Sequence, residues 1–262
     1  MEFKNMVAFI TGGANGIGLA TATSFVNAGA RVCLLDIDDI KGKEATELLG
    51  SDNTLFVHCD VTSSLQIEQA VNSCIKKFGT IHFLINNAGI IRYNNAITCP
   101  EEEWDLIMNV NLKSYFLTAK YTLPHIIKND GGVVINVASA QSFISSANMV
   151  HYTTSKTALL GFTRSLAIDF APRVRAVAVC PGTVDTPMAR NAWSTAGDPE
   201  KIHEESKAMH LLNRIASPAE IADLIVYLCS KKSAFITGQA FRIDGGLGIS
   251  VPGSVKDEME LI

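Results

Sequence analysis

Met6-Val7-Ala8-Phe9-Ile10 is followed by Thr11-Gly12-Gly13-Ala14-Asn15-Gly16-Ile17-Gly18, a glycine-rich turn between an apolar strand-like run and a helix-like run. Glycines let a backbone approach a pyrophosphate closely, and the free N–H groups in the first turn of the next helix face the anion. The turn therefore predicts a nucleotide-binding site at the start of an α/β fold. The residues that we assign to this site are Gly12, Asn15, Gly16, Ile17 and Gly18.

The spacing of these glycines leaves a second interpretation open. Gly12, Gly16 and Gly18 depart from the G-x-G-x-x-G fingerprint of dinucleotide-binding turns, and a glycine-rich turn also serves as a simple tight connection. A partner residue favours the nucleotide interpretation. Asp36 ends a second strand-like run 18 positions after Gly18, near the distance at which an acidic residue accepts hydrogen bonds from the adenosine ribose.

The carboxylate of Asp36 also predicts which cofactor is bound. It repels a 2′-phosphate, and neither Asn15 nor Ile37 offers a positive charge, so the sequence favours NAD over NADP. The alternative is that Asp36 only ends a strand or caps a helix that begins near Ile40.

Short β-branched runs alternate with longer helical patterns, which is typical of repeated βαβ units. We expect a Rossmann-like, doubly wound parallel sheet of about seven strands with helices on both faces, in one dinucleotide-binding and catalytic domain over residues 1–262. The irregular segment 187–214 is expected to be a substrate lid, with an ordinary surface insertion as the alternative. Strands are predicted at 6–11, 31–36, 54–58, 81–86, 132–137, 174–180 and 239–243, and helices at 16–28, 63–78, 101–128, 152–170 and 218–229.

The composition excludes several classes of function. With 262 residues, 47% of them hydrophobic, and a formal net charge of −4, the chain suits a large α/β core and has no general attraction to nucleic acid or to an anionic membrane. The six cysteines form no C-x-x-C pair, so we expect reduced buried thiols and no metal site. No apolar stretch reaches membrane-spanning length, and we expect a cytoplasmic enzyme that acts on a small molecule.

Three residues of the second half carry the candidate chemistry. Tyr152 and Lys156 stand at i and i+4 of a predicted helix, so their side chains share one face. A nearby ammonium lowers the pKa of a phenol, and we expect Tyr152 to take a proton from an alcohol or to return it to a carbonyl. Ser139 follows a strand at the carboxyl edge of the sheet, where its hydroxyl can hold the substrate oxygen. Each of these residues alone often occurs without a catalytic role, and only the combination of the three favours catalysis.

These motifs make the chain resemble the short-chain dehydrogenase/reductase family, in its single-domain subgroup with a TGxxxGxG turn, from about residue 3 to residue 246. The resemblance implies a catalytic set of Asn111, Ser139, Tyr152 and Lys156, in which Asn111 holds a water of a proton relay. It implies NAD contacts beyond the glycine turn and Asp36. These are Asp60 and Val61 at the adenine, Asn87 near the ribose, and Tyr152, Lys156, Val184 and Thr186 on the nicotinamide side.

The resemblance also implies assembly. Family members are usually tetramers or dimers built on the helices near 101–128 and 152–170, and we expect a homo-oligomer, with a tetramer favoured over a dimer. The apolar residues of these helices are equally compatible with core packing. The chain after the Asp244-Gly245-Gly246 turn exceeds the family's minimum, and it is expected either to pack on a neighbouring subunit or to fray.

The sequence narrows the substrate only to a class. Most side chains expected around the substrate are apolar or aromatic, with Gln141 and His151 able to orient a further polar group. We therefore expect an oxidoreductase that transfers hydride between NAD and a cyclic alcohol, diol, sugar-type or hydroxysteroid substrate. The alternative is a dinucleotide-binding sensor or scaffold without turnover. The expected pocket residues are Ile91, Tyr93, Gln141, Phe143, Met149, His151, Met188, Trp193, Met209 and Leu212.

Overall fold

The strands form one parallel sheet. The computed structural model describes residues 2–129, 131–195 and 198–249, and seven strands pair within these ranges. They are β1 (Val7–Thr11), β2 (Arg31–Asp36), β3 (Thr54–His58), β4 (Phe83–Asn86), β5 (Gly132–Val137), β6 (Val174–Pro181) and β7 (Ala240–Ile243). All neighbours are parallel, in the order β3-β2-β1-β4-β5-β6-β7. The doubly wound architecture that the sequence predicts is confirmed.

Helices connect the strands and cover both faces of the sheet. In the described ranges they are α1 (Gly16–Asn27), α2 (Asp39–Leu49), α3 (Ser64–Phe78), α4 (Glu101–Met108), α5 (Ser114–Ile126), α6 (Val150–Phe170), α7 (Pro187–Thr195), α8 (Pro199–Ala208) and α9 (Pro218–Cys229). The helix predicted at 101–128 is divided into α4 and α5 by a π-helical turn, Asn109–Lys113. No helix of the described chain combines the length and the apolar composition needed to cross a bilayer.

Three helices have no predicted range in the sequence, although a helix beginning near Ile40 is expected and α2 begins at Asp39. The buried positions of α2 are few, so its hydrophobic periodicity is weak. The other two, α7 and α8, occupy the segment expected to be irregular. Asp198 caps α8 by accepting the N–H groups of Glu200 and Lys201 at 3.1 and 3.2 Å. This cap stabilises the start of a helix that has few apolar residues.

Both faces of the sheet are buried. Successive residues of β1 alternate between two apolar clusters: Ala8 and Ile10 pack in the cluster that includes residues of α1 and α9, and Val7 and Phe9 in the one that includes residues of α3 and α5. A strand covered on both sides needs apolar residues at every position. This explains why the strands read as continuous apolar runs.

The winding of the chain reverses between β1 and β4. From β1 the chain continues to β2 and β3 on one side, whereas β4 lies on the other side and leads to β5, β6 and β7. The loops that follow β1 and β4 therefore diverge at the carboxyl edge of the sheet. In open α/β sheets this switch point is where ligands bind.

Candidate active site

A cavity of about 330 Å³ opens at the carboxyl edge of the sheet, among the loops that follow the central strands. It brings together most of the site residues that the sequence predicts. Gly18 and Asn111 are the exceptions, because neither lines the cavity. The predicted residues that line it are Gly12, Asn15, Gly16, Ile17, Asp36, Asp60, Val61, Asn87, Ser139, Tyr152, Lys156, Val184 and Thr186.

The glycine turn allows a ligand to approach the backbone. Gly12 and Gly16 have φ values of 60° and 53°, in the left-handed region that favours glycine. A Cβ at Gly18 would overlap the carbonyl oxygen of Gly12, so α1 packs directly on the turn. Gly16 and Ile17 of the first turn of α1 line the cavity, and Asn15 makes no side-chain capping bond within the described chain. The helix N-terminus is therefore available to an anion, and the turn fits a pyrophosphate.

Thr11 and Asn87 brace this turn across the switch point. The Thr11 hydroxyl accepts the N–H groups of Asn87 and Ala88, both at 3.0 Å. In return, Asn87 Nδ2 donates to the carbonyl oxygens of Thr11 and Gly12, also at 3.0 Å. Both amide donors of Asn87 are thus used to hold the turn, while the residue itself lines the cavity. This role of Thr11 is not predicted from the sequence, where its signal is a hydroxyl at the last position of β1.

Asp36 ends β2 with its carboxylate held against the glycine turn. Its Oδ2 accepts the Ala14 N–H at 3.1 Å, and its Oδ1 accepts the Asp38 N–H at 3.2 Å. The cap of α2 is Asp38, which accepts the Lys41 N–H at 3.0 Å, so Asp36 is not the cap of that helix. Among the described residues that line the cavity, Lys156 is the only cation.

The loop after β3 presents an apolar surface to the cavity. Asp60 Oδ1 accepts the N–H and the hydroxyl of Thr62 at 2.9 and 2.8 Å, and the Asp60 N–H donates to Gln66 at 2.8 Å. These bonds fix the loop on both sides of Val61, which is nearly buried and lines the cavity. Such a surface suits the face of an aromatic base.

Ser139, Tyr152 and Lys156 meet at the cavity wall. Ser139 and Tyr152 line the cavity together, and the Ser139 hydroxyl accepts the Gln141 N–H at 3.1 Å. The Lys156 ammonium lies 5.9 Å from the centre of the Tyr152 ring and donates to the carbonyl oxygen of Val137 at 2.9 Å. The end of β5 and the start of α6 thus bring together the hydroxyl, the phenol and the ammonium.

In the protein without a bound cofactor, burial is the main cause of the pKa shifts of Tyr152 and Lys156. It raises the pKa of the Tyr152 phenol above its usual value, and the Ser139 hydroxyl opposes that rise. It lowers the pKa of Lys156 to about 8. The expected lowering of the Tyr152 pKa by the ammonium is wrong in direction for the protein without cofactor. The ammonium is turned toward Val137, and desolvation of the phenol is the larger effect.

Asn111 lies in the π-helical turn between α4 and α5 and is fully buried. Its Oδ1 accepts the Ile90 N–H at 2.9 Å, and its Nδ2 donates to the Ile90 carbonyl at 2.9 Å and to the Ser155 hydroxyl at 3.3 Å. The side chain therefore ties the loop after β4 to α6, next to Lys156. A π-helical turn inside an α-helix is frequent at functional sites.

The loop after β6 forms the remaining wall. A Cβ added at Gly16 would lie 3.3 Å from the Thr186 side chain, so Thr186 packs against the glycine turn at the cavity wall. Val184 pairs with Ala216, and the Ala216 N–H donates to the Thr183 carbonyl at 3.0 Å. Residues on both sides of the segment 187–214 are therefore joined beside the cavity.

His210 anchors the end of that segment. It is buried; its Nε2 accepts the Thr183 N–H at 3.1 Å, and its Nδ1 lies 2.7 Å from the carbonyl oxygen of Ser206. The segment is thus mostly helical and attached at its end, in place of the irregular structure expected. Gly197, in the middle of this segment, lies outside the described residues, as does the chain after Ile249.

His151 does not offer a group to the pocket, contrary to expectation. It is fully buried: Nε2 lies 3.2 Å from Glu103 Oε1, and Nδ1 accepts the Tyr152 N–H at 2.9 Å. Cys99, Glu103 and His151 also place three potential metal ligands within 4.8 Å of one another. Because Nδ1 is an acceptor, the proton of the neutral ring is on Nε2, and a hydrogen bond to Glu103 explains the arrangement without an ion.

The other expected pocket residues are dispersed. Met188 lines the main cavity, Leu212 lines a separate cavity of about 80 Å³, and Met149 is buried. The Arg242 guanidinium lies 5.3 Å from the centre of the Phe143 ring. The positions of these side chains depend on loop conformation, which their sequence order alone does not determine.

Comparison with known proteins identifies the family of this chain. A family model described as Enoyl-(Acyl carrier protein) reductase matches residues 12–248. An oxidoreductase of Thermotoga maritima, named as uncharacterized, is 37% identical over 249 residues, or 94% of this chain and 98% of the relative.

Two solved structures have the same fold. The ligand-free aldohexose dehydrogenase of Thermoplasma acidophilum has a TM-score of 0.89 and 36% identity, covering 97% of this chain and 98% of that one. The 3-ketoacyl-(acyl-carrier-protein) reductase of Brucella melitensis, complexed with NADH, has a TM-score of 0.86 and 30% identity, covering 94% of this chain and 100% of that one. From its family match, its relatives and its fold, this chain is an oxidoreductase that belongs to the short-chain dehydrogenase/reductase family.

Proposed function

We propose that this protein is an NAD-dependent oxidoreductase that transfers hydride between NAD and a secondary alcohol of the cyclic alcohol, diol, sugar-type or hydroxysteroid class. The observation that carries the proposal is one cavity that holds both the Asp36 carboxylate and the group of Ser139, Tyr152 and Lys156. The carboxylate selects the cofactor, and the three grouped side chains move the proton.

The preference for NAD rests on charge at the end of β2. A carboxylate in the position of Asp36 accepts hydrogen bonds from the two ribose hydroxyls of NAD and repels the 2′-phosphate of NADP. The bonds from Ala14 and Asp38 hold the carboxylate in place and leave it acceptor capacity. The Brucella melitensis neighbour, complexed with NADH, is a precedent for this cofactor on the same fold.

NAD, when bound, supplies a hydride acceptor and a positively charged ring. The side chains of this protein manage the proton. Tyr152 takes it from the substrate hydroxyl as the alcohol is oxidised, and returns it in the reverse direction. Ser139, which lines the cavity together with Tyr152, holds the substrate oxygen beside the phenol. Lys156 stabilises the phenolate, and we propose that Asn111 holds the water that connects Lys156 to solvent.

The substrate class rests on the lining of the cavity and on one structural neighbour. Apolar side chains such as Ile90, Val184 and Met188 line the same cavity as the polar catalytic group. This combination suits a compact substrate with an apolar ring or chain and a hydroxyl. The aldohexose dehydrogenase of Thermoplasma acidophilum supports the sugar-type member of the class. We propose oxidation of the alcohol as the physiological direction.

We propose further that the chain acts as one domain over residues 1–262, with 187–214 as its substrate lid. The joined ends of this segment beside the cavity support the lid. Exposed Leu106, Phe116 and Ile168 on α4, α5 and α6 support a homotetramer, which light scattering of the purified protein tests. Six free thiols support a reducing, cytoplasmic location.

Binding of NADH and NADPH to Asp36→Ala tests the cofactor assignment without knowledge of the substrate. We expect the preference for NADH, expressed as the ratio of the two dissociation constants, to fall by about tenfold or more. Asp38→Ala is the matched control, because it removes a carboxylate two residues away that caps α2 and does not line the cavity. An unchanged ratio in Asp36→Ala would mean that another group selects the cofactor.

A further inference from the structure

Tyr115 is a buried tyrosine for which the proposed reaction has no use. It lies in the first turn of α5, four residues after Asn111, and its side chain is fully buried. Its ring packs with Leu159 of α6 and with Ala178 and Cys180 of β6. Such packing explains the ring but not the hydroxyl, since a phenylalanine would fill the same space without a polar atom to satisfy.

The hydroxyl of Tyr115 belongs to a triangle with Lys156. It donates to the carbonyl oxygen of Val137 at 3.0 Å, and that same oxygen accepts from Lys156 Nζ at 2.9 Å. The third side is the contact from Lys156 Nζ to the Tyr115 hydroxyl oxygen at 3.5 Å, and the ammonium lies 5.5 Å from the centre of the Tyr115 ring. All three residues stand on regular elements, at the end of β5 and within α5 and α6.

This triangle uses two of the three donors of the Lys156 ammonium. Lys156 is 4% exposed, yet it lines the cavity, so its remaining donor is the one available to a ligand. The titratable groups that face it are Tyr115 from α5, Tyr152 from its own helix and Cys180 from β6. Burial raises the pKa of Cys180 to about 12, and it raises the pKa of both tyrosines, so each of these groups is neutral at pH 7.

We propose that Tyr115 is a positioning residue for Lys156: its hydroxyl, fixed by the Val137 carbonyl, holds the ammonium charged and directs its free donor into the cavity. A hydrogen-bond acceptor on a buried ammonium favours the charged form. The aromatic ring adds a smaller attraction of the same sign. The role of Lys156 toward Tyr152 rests on the proposed function, but the effect of Tyr115 on Lys156 can be measured without turnover.

Tyr115→Phe removes only the hydroxyl, and Tyr121→Phe is its matched control. Tyr121 lies on the same helix, and its hydroxyl contacts Ser64 at 2.8 Å, away from the cavity. The readout is the pKa of Lys156 in the protein without ligand, from a pH titration of its ¹³Cε resonance after lysine labelling. The Lys156→Met variant assigns that resonance. We expect Tyr115→Phe to lower this pKa by about 0.5 units and Tyr121→Phe to leave it unchanged.

NADH binding provides a second readout, because Lys156 lines the cofactor cavity. We expect Tyr115→Phe to weaken NADH binding by about threefold in the parent. The same substitution should have no further effect in a Lys156→Met background if it acts through the ammonium. This comparison separates positioning from a general structural role, which would persist in both backgrounds.

An unchanged Lys156 pKa in a folded Tyr115→Phe variant would overturn the proposal, and so would a loss of NADH affinity that persists without Lys156. Thermal unfolding checks that the variant folds. If it does not, Tyr115→Met, whose flexible side chain adapts to the space, removes the hydroxyl and the ring together and should lower the pKa of Lys156 by at least as much. A protein that shows the pKa shift but oxidises no alcohol would support the role of Tyr115 and contradict the proposed function instead.

Discussion

Thr11→Val tests whether the glycine turn is braced as the structure indicates. The Thr11 side chain is 2% exposed, and its hydroxyl accepts the N–H groups of Asn87 and Ala88 at 3.0 Å. Valine keeps the β-branched shape that suits a strand but leaves both donors without this acceptor. Each donor that loses its partner away from water costs about 1 kcal/mol or more, so we expect the free energy of unfolding to fall by about 2 kcal/mol.

The same substitution should also loosen the cofactor cavity, because Asn87 and Ala88 line it. We expect NADH to bind about five- to tenfold more weakly, measured by fluorescence titration, while urea unfolding measures the change in stability. Thr46→Val is the control. Its hydroxyl donates only to the Gly42 carbonyl within α2, at 2.9 Å, and its loss should change stability by less than about 0.5 kcal/mol. Parent-like stability and parent-like NADH affinity in Thr11→Val would refute the bracing role.

Further predictions concern Lys156, the glycines and a helix cap. Because burial lowers the Lys156 pKa from 10.5 to about 8, the native chain holds fewer protons than the unfolded chain between these pH values, and its stability rises with pH. We therefore expect the free energy of unfolding of the parent to rise by roughly 3 kcal/mol relative to that of Lys156→Met between pH 8 and pH 10.5, measured by urea unfolding. Gly18→Ala should weaken NADH binding by more than about tenfold, whereas Gly161→Ala on α6, where an added Cβ would make an ordinary contact with the Arg164 guanidinium at 3.9 Å, should raise the free energy of unfolding by up to about 1 kcal/mol. Ser217→Ala breaks the capping box with Glu220 and should lower the melting temperature, at a cost of about 1 kcal/mol.

The sheet can be predicted from the sequence because each strand is recognised by the residues within it. A strand buried on both faces must be apolar at every position, and such runs are visible without tertiary information. The start of α9 is predicted for a similar reason, since Ser217 and Pro218 are a local helix signal and the structure shows the capping box there. The helices α2, α7 and α8 are rich in polar residues; α7 and α8 are missed, and α2 is anticipated only by its start near Ile40.

Some features of the candidate site can likewise be predicted from local sequence, whereas others depend on tertiary contacts. The glycine turn and Asp36 are visible because each has a signature of residue type and spacing, and the cavity brings them together. The contact between Tyr115 and Lys156 joins residues 41 positions apart on different helices, so no local pattern reports it. The raised pKa of Tyr152 is missed because desolvation depends on tertiary burial, whereas the sequence shows only the neighbouring ammonium.

The most direct test of the proposed reaction is the formation of NADH from NAD by the parent and by Tyr152→Phe. The assay covers cyclic alcohols, vicinal diols, sugars, sugar acids and hydroxysteroids, with NADP in parallel. We expect the parent to oxidise at least one of these classes with NAD. Tyr152→Phe should lose about three orders of magnitude or more in kcat while binding NADH within about threefold of the parent. Equal turnover by Tyr152→Phe, or NADH binding by the parent without turnover of any substrate, would contradict the account.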